Sequence, residues 1–207
     1  MRAAPPRSPD GIPLASVRRR GILHGMESYT LKIGELTREL PVIPLGNGVS
    51  IASFVMLGDT EMVEYAAENL LRHPAFPKNR IDALVCPEAK AIPLTHALAV
   101  RLHIDYVVLR KDLKAYMRDA IAESVTSITT RGTQTLVLDG PERKRLAGKR
   151  VCVVDDVVST GGSLSAIERL LSRARCEVVG KAAVLLEEGG YAGEDIAYLA
   201  RLPVFKT

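Results

Sequence analysis

The segment VCVVDDVVSTGGS at 151–163 constrains the fold of this chain more than any other. Four consecutive apolar residues leave no alternation between a wet and a dry face. The strand they form must therefore be covered on both sides, as in a parallel sheet flanked by helices. Two acids, Asp155 and Asp156, are expected to end that strand on opposite sides of the chain. A turn of hydroxyls and glycines follows, and SLSAIERLLSRAR then resumes at helical spacing with Ser163 at its cap. A strand that turns straight into a helix aims the helix's unpaired N–H groups and the positive end of its dipole at whatever occupies the turn. Glycines let the backbone approach closely, and Ser159, Thr160 and Ser163 add hydroxyl donors, so the best-matched guest is a phosphate monoester. The chain has neither G-x-x-x-x-G-K-[ST] nor G-x-G-x-x-G at this point, which argues against a nucleoside triphosphatase or a dinucleotide enzyme. Carboxylates at this distance from a 5′-phosphate are placed to accept hydrogen bonds from two ribose hydroxyls and to lend negative charge near C1′.

The same strand–helix alternation recurs upstream. Residues 29–45 alternate apolar and polar side chains on either side of Gly34 and Glu35, which predicts a two-stranded hairpin. VSIASFVML (49–57) predicts a strand. DTEMVEYAAENLLRH (59–73) predicts a helix capped by Asp59 or Thr60, with Met62, Val63, Ala66, Ala67 and Leu70 on one face. IDALVC is a strand ending in the loop PEAK, IPLTHALAVRL a helix with Pro93 in its first turn, and YVVLR a strand. The charged stretch 111–125 leads to two strands, SITT and TQTLVLDG, around Arg131 and Gly132. EVVGKAAVLLEE closes the series as another wholly apolar strand. Such a fold binds ligands at the carboxyl ends of its strands.

Composition narrows the function. At 207 residues, 47% hydrophobic and 25% charged, the chain has room for one sizeable core. A net charge of +4 with no basic element beyond the first residues argues against nucleic acid as a partner. Cys86, Cys152 and Cys176 are odd in number and lack C-x-x-C spacing, so they read as reduced thiols of a cytoplasmic protein rather than a disulfide or zinc framework. No apolar run approaches the roughly 18 residues of a membrane span, and no membrane partner is expected. Residues 1–25 hold five Arg, four Pro and one acid without any period, and read as a disordered extension, with the folded domain over 26–207. Met26 opens the first patterned segment, so a start site set too far upstream is the simplest account of that extension.

The stretch 151–163 resembles the signature of the type I phosphoribosyltransferases, and the resemblance extends over most of 26–205. CPEAKAIPL (86–94) resembles the family's pyrophosphate loop, and YVVLRKDLKAYM (106–117) the strand leading into its mobile basic hood loop. The resemblance implies an α/β fold: a central, mostly parallel sheet flanked by helices, with a small hood lobe and a mobile loop. It implies phosphoribosyl pyrophosphate and a free nucleobase as substrates, a homodimer, and Mg2+ carried mainly on the ligand's own oxygens rather than in a protein cage. It carries Glu88, Ala89, Lys90, Arg110 and Lys111 over to the pyrophosphate. Val158, Ser159, Thr160, Gly161, Gly162 and Ser163 go to the 5′-phosphate, and Asp155, Asp156 and Lys114 to catalysis. A non-proline cis peptide is implied at Glu88–Ala89 or Ala89–Lys90, and closure of 111–133 as a lid that keeps water out.

The base is less constrained. Hypoxanthine-guanine enzymes place an acid immediately before the threonine of the phosphate loop, where this chain has Ser159, so the pattern is most similar to the adenine and xanthine branch. Adenine enzymes usually carry Glu-Tyr-Gly in the mobile loop; here the equivalent place is near Thr130, Arg131 and Gly132, and Glu123 substitutes only if the loop folds differently. Adenine is the leading expectation. Xanthine, orotate and a non-catalytic regulator that binds the same phosphoribosyl ligand are the alternatives. The base pocket is expected to use the N-terminal hairpin and LPVF at 202–205.

Overall fold

A computed structural model describes residues 20–23, 26–46, 48–126 and 133–206. Its centre is a five-stranded sheet in the order β11-β10-β9-β5-β6, parallel throughout: β5 (Ala83–Pro87), β6 (Asp105–Leu109), β9 (Arg150–Val158), β10 (Glu177–Glu187) and β11 (Ile196–Leu202). The two-sided burial that the apolar run demanded is present. Along β9, Cys152 and Val154 enter one core while Val151 and Val153 enter the other, and β5 divides the same way, Leu84 and Cys86 against Ala83 and Val85. Burying such a side chain is worth about 1.5–3 kcal/mol, so neither face of these strands tolerates a polar residue without a specific reason. Asp155 and Asp156 are that exception.

Helices α1 (Thr60–Arg72) and α2 (Ile92–Leu102) supply Met62, Ala66, Leu70, Leu94 and Leu98 to the first core; α4 (Gly162–Arg173) supplies Leu164, Ile167, Leu170 and Leu171 to the second. Asp59 caps α1, accepting from the Met62 N–H at 3.1 Å, and all five predicted face residues are buried. Two further strands, β7 (Ile121–Thr126) and β8 (Thr133–Leu138), form an antiparallel hairpin against α4, and α3 (Gly140–Leu146) follows, capped by Asp139.

The remaining strands make a second sheet, the hood, in the order β1-β2-β3-β4-β12. It comprises β1 (Arg20–Leu23), β2 (Met26–Ile33), β3 (Leu36–Gly46), β4 (Val49–Ala52) and β12 (Val204–Lys206). The predicted hairpin turn at Gly34 and Glu35 joins β2 to β3. The hood is tied to the core by Arg38, whose guanidinium meets Asp59 at 2.6 and 2.9 Å and Glu61 at 2.8 Å, holding the Asp59 carboxyl below its usual range. Several expectations are corrected here. β1 lies inside the segment read as an extension, so ordered pairing begins by Arg20 rather than Met26, and 1–19 lie outside the described residues. β4 stops at Ala52 although the apolar run continues; beyond it Phe54 and Met56 are buried while Val55 and Leu57 are exposed, at 54% and 46%. The strand that pairs with β8 includes Ile121–Thr126, and SITT at 127–130 lies outside the described residues.

Candidate active site

The carboxyl ends of β5, β6 and β9 converge on one edge of the parallel sheet. β9 continues to Val158, so Asp155 and Asp156 stand within the strand instead of ending it, and both are buried, at 9% and 6% exposure. Asp155 Oδ1 accepts the Asp156 N–H at 2.9 Å. Asp156 Oδ2 is buried and accepts no well-aligned hydrogen bond among the described residues; the cation facing it is Lys90, with Nζ 3.1 Å away. Lys90 arrives from the loop after β5, where the peptide between Glu88 and Ala89 is cis, at the first of the two bonds expected.

Glu88 locks that loop to β6. Its Oε2 accepts the Lys111 N–H at 3.1 Å and lies 3.3 Å from Arg110 Nε, while the Arg110 main chain exchanges hydrogen bonds of 2.9 and 2.8 Å with Val137. Two groups thus assemble from the sequence-predicted set: Lys90 with Asp155 and Asp156, and Glu88 with Arg110 and Lys111. Lys114 joins neither and pairs with Asp112 at 3.2 Å. The stretch after β6 is pinned again at Arg118, whose N–H donates to Asp139 and whose carbonyl accepts the Gly140 N–H, so 111–117 is a short projection, and β7 and β8 pair beyond it. Glu123 does not stand in for a loop glutamate: Arg169 and Arg173 of α4 hold it at 2.6 and 3.3 Å. Thr130, Arg131 and Gly132 lie outside the described residues.

Beyond β9, Ser159 and Thr160 form the turn and Gly161 is the N-cap of α4, in the left-handed region at φ +84° with no side-chain cap; Ser163 falls one residue inside the helix rather than at its cap. The glycine is required twice over, since a Cβ there would also sit 2.5 Å from the Tyr191 ring. Sequence reasoning missed Tyr191 and its partner Lys181, and the one signal available was GGY (189–191) after the last wholly apolar strand.

Burial, and then the neighbouring charge of Asp156, push the Asp155 carboxyl well above its ordinary value. An acid whose folded pKa is raised costs nothing at pH values where both folded and unfolded chains hold the proton. The cost grows as pH climbs from about 4 through the window between the unfolded and folded values, where only the unfolded chain releases it. Asp155→Asn is therefore expected to melt above the parent protein at pH 7, with the gain shrinking to nothing near pH 4. Thermal melts across that range check it, and an equal gain at both ends would mean that charge is not the cause.

This arrangement of a two-sided parallel sheet, an acidic pair and a glycine turn opening a helix is that of a type I phosphoribosyltransferase fold. The chain belongs to the phosphoribosyl transferase domain family, whose model matches residues 60–204. It is 35% identical over 123 residues to the adenine phosphoribosyltransferase of Mycobacterium tuberculosis, covering 59% of this chain and 55% of that protein, so it spans about half the relative's length. It is 32% identical over 162 residues to HGPRTase-like protein 1 of Halalkalicoccus jeotgali, covering 77% and 80%. Among solved structures, the adenine phosphoribosyltransferase of Rhodothermus marinus superposes with a TM-score of 0.63 at 28% identity, covering 79% of this chain and 94% of that one.

Proposed function

We propose that this chain transfers the 5-phosphoribosyl group from phosphoribosyl pyrophosphate to a purine base, adenine in the first instance, and releases pyrophosphate. The observation that carries the proposal is the buried pair Asp155–Asp156, faced by the Lys90 ammonium at 3.1 Å and set immediately before a helix-opening glycine turn. The 5′-phosphate sits on Ser159, Thr160, Gly161, Gly162 and Ser163, with Val158 delivering the turn, where main-chain N–H groups and the dipole of α4 favour an anion. Asp155 and Asp156 accept from the ribose hydroxyls, and the Asp156 carboxylate stabilises positive charge as C1′ becomes oxocarbenium-like.

Pyrophosphate lies on the 88–90 loop. Lys90 transfers its charge from Asp156 to the departing oxygens, Arg110 adds a second cation, and Glu88 and the Ala89 peptide hold the loop's shape. The bond from C1′ to the pyrophosphate oxygen breaks with its electron pair leaving on pyrophosphate, while a ring nitrogen of the base bonds to C1′ and gives up its proton. Lys111 and Lys114 approach from the projection after β6. Among the described residues no three His, Cys, Asp or Glu side chains group to cage a metal. The oxygens this chain offers a magnesium ion are those of the acidic pair, which suits an ion held chiefly by ligand oxygens and water. When bound, magnesium supplies charge neutralisation on the pyrophosphate.

The base is assigned to the hood, where Tyr29 and Phe205 meet edge to face at 5.9 Å. A homodimer is part of the proposal. No helix among the described residues is long and apolar enough to cross a membrane. The test is pyrophosphate release with phosphoribosyl pyrophosphate, magnesium and a panel of adenine, hypoxanthine, guanine, xanthine, orotate and uracil. Turnover with adenine is expected. Binding of phosphoribosyl pyrophosphate without turnover of any base would overturn the enzymatic reading in favour of a regulator.

A further inference from the structure

Against the turn at 159–161 packs a polar cluster that takes no part in the chemistry above. Lys181, in the middle of β10, is 5% exposed. Its ammonium meets Asp195 Oδ2 at 2.6 Å, Glu168 Oε1 at 2.6 Å and the Tyr191 hydroxyl at 3.0 Å, so all three N–H donors have acceptors. The tyrosine hydroxyl donates its own hydrogen bond to Asp195 Oδ1 at 2.7 Å, which leaves a lone pair facing the ammonium. Three elements meet at one nitrogen: α4 through Glu168, β10 through Lys181, and the 188–195 loop through Tyr191 and Asp195.

Only Lys181 of this cluster is buried, Glu168 and Asp195 being 40% and 61% exposed, and ion pairs with such exposed carboxylates contribute little stability. What the cluster delivers is a fixed ring position. The Tyr191 ring is held between Gly161 and Gly193, where a Cβ would lie 2.5 and 2.4 Å from its atoms. The Tyr191 N–H donates to the Ser159 carbonyl at 2.7 Å, and Gly190 stands so close that a Cβ would be 2.4 Å from the same oxygen. The loop is thus pressed onto the turn through two glycines and one main-chain hydrogen bond.

We propose that Tyr191 is a positioning residue for the phosphate-binding turn, fixed by Lys181, Asp195 and Glu168. Its ring holds Gly161 in the left-handed conformation that aims the N–H groups of α4, and its own N–H fixes Ser159. The inference rests on reading 159–163 as the 5′-phosphate site. A residue of this kind acts on binding of the phosphoribosyl end and leaves the pyrophosphate loop untouched.

The experiment measures the affinities of ribose 5-phosphate and of magnesium pyrophosphate by calorimetry, and KM and kcat with phosphoribosyl pyrophosphate, for the parent protein, Tyr191→Phe and Tyr191→Ala. Tyr191→Ala should weaken ribose 5-phosphate about tenfold and raise KM similarly, with kcat and the pyrophosphate affinity within about twofold of the parent. Tyr191→Phe keeps the ring, folds without leaving a cavity, and should lose about threefold on the same two readings. Equal losses for ribose 5-phosphate and pyrophosphate would reveal general destabilisation and overturn the proposal, as would parent-like ribose 5-phosphate affinity in both variants. A parent protein that binds neither ribose 5-phosphate nor phosphoribosyl pyrophosphate would instead remove the functional reading beneath it.

Discussion

Asp156→Asn should lower kcat by roughly 100-fold, the usual loss when one preorganised charge or donor at a developing transition-state charge is removed. The substitution is isosteric and keeps the main-chain hydrogen bond to Asp155, so the fold should persist. What disappears is the negative charge on a buried oxygen that faces the Lys90 ammonium at 3.1 Å. That oxygen is free to follow the charge that grows on the ribose ring, and an amide in its place presents either a weaker acceptor or an N–H of the wrong sign. Steady-state kinetics beside a thermal melt decide the matter: a loss smaller than about threefold in kcat, with an unchanged melting temperature, would remove Asp156 from the catalytic machinery.

The second large effect is structural. Gly161→Ala forces an L side chain into φ +84° and drives its Cβ to 2.5 Å from the Tyr191 ring. Left-handed strain of about 1–2 kcal/mol and overpacking of about 1–3 kcal/mol should together lower the melting temperature by on the order of 10 °C. Gly189→Ala separates the two terms, because Gly189 also has positive φ, +71°, but a Cβ there meets nothing within 4 Å. It should cost only the strain. Equal losses in the two variants would show that the ring yields to the extra methyl, and that the contact between the 188–193 loop and the turn is slack.

Legibility followed the range of the forces involved. The central strands were readable because a covered strand needs several adjacent apolar residues, and α1 because five buried positions repeat at helical spacing over thirteen residues. The acidic pair and the glycine turn were readable as a local pattern: two adjacent acids closing an apolar run and a glycine at the start of a helix. Short elements left no period to find. α3 has seven residues and was signalled only by Asp139 before Gly-Pro, and β12 has three, chosen as a strand by its pairing with β4 some 150 positions earlier. Side-chain partners across the fold were likewise invisible. Nothing in the local sequence ties Lys90 to Asp156, turns Glu123 toward Arg169, or sets Tyr191 against Gly161. The helix cap moved from Ser163 to Gly161 because close packing against the ring decided the backbone there, ahead of the hydroxyl's preference for a cap.

The hood and the parallel sheet share one core: Tyr29, Leu31, Ile33 and Leu40 of the hood cluster with Leu84, Val154, Val184 and Leu199 of the sheet, and Arg38 adds ion pairs with Asp59 and Glu61. The family model begins at residue 60, just after the hood's first four strands. The residues we assign to ribose and phosphate lie between 88 and 163, outside that lobe. The hood's core-facing side chains are nonetheless bound to the sheet on which they pack, and only its outward-facing positions are free to vary by themselves.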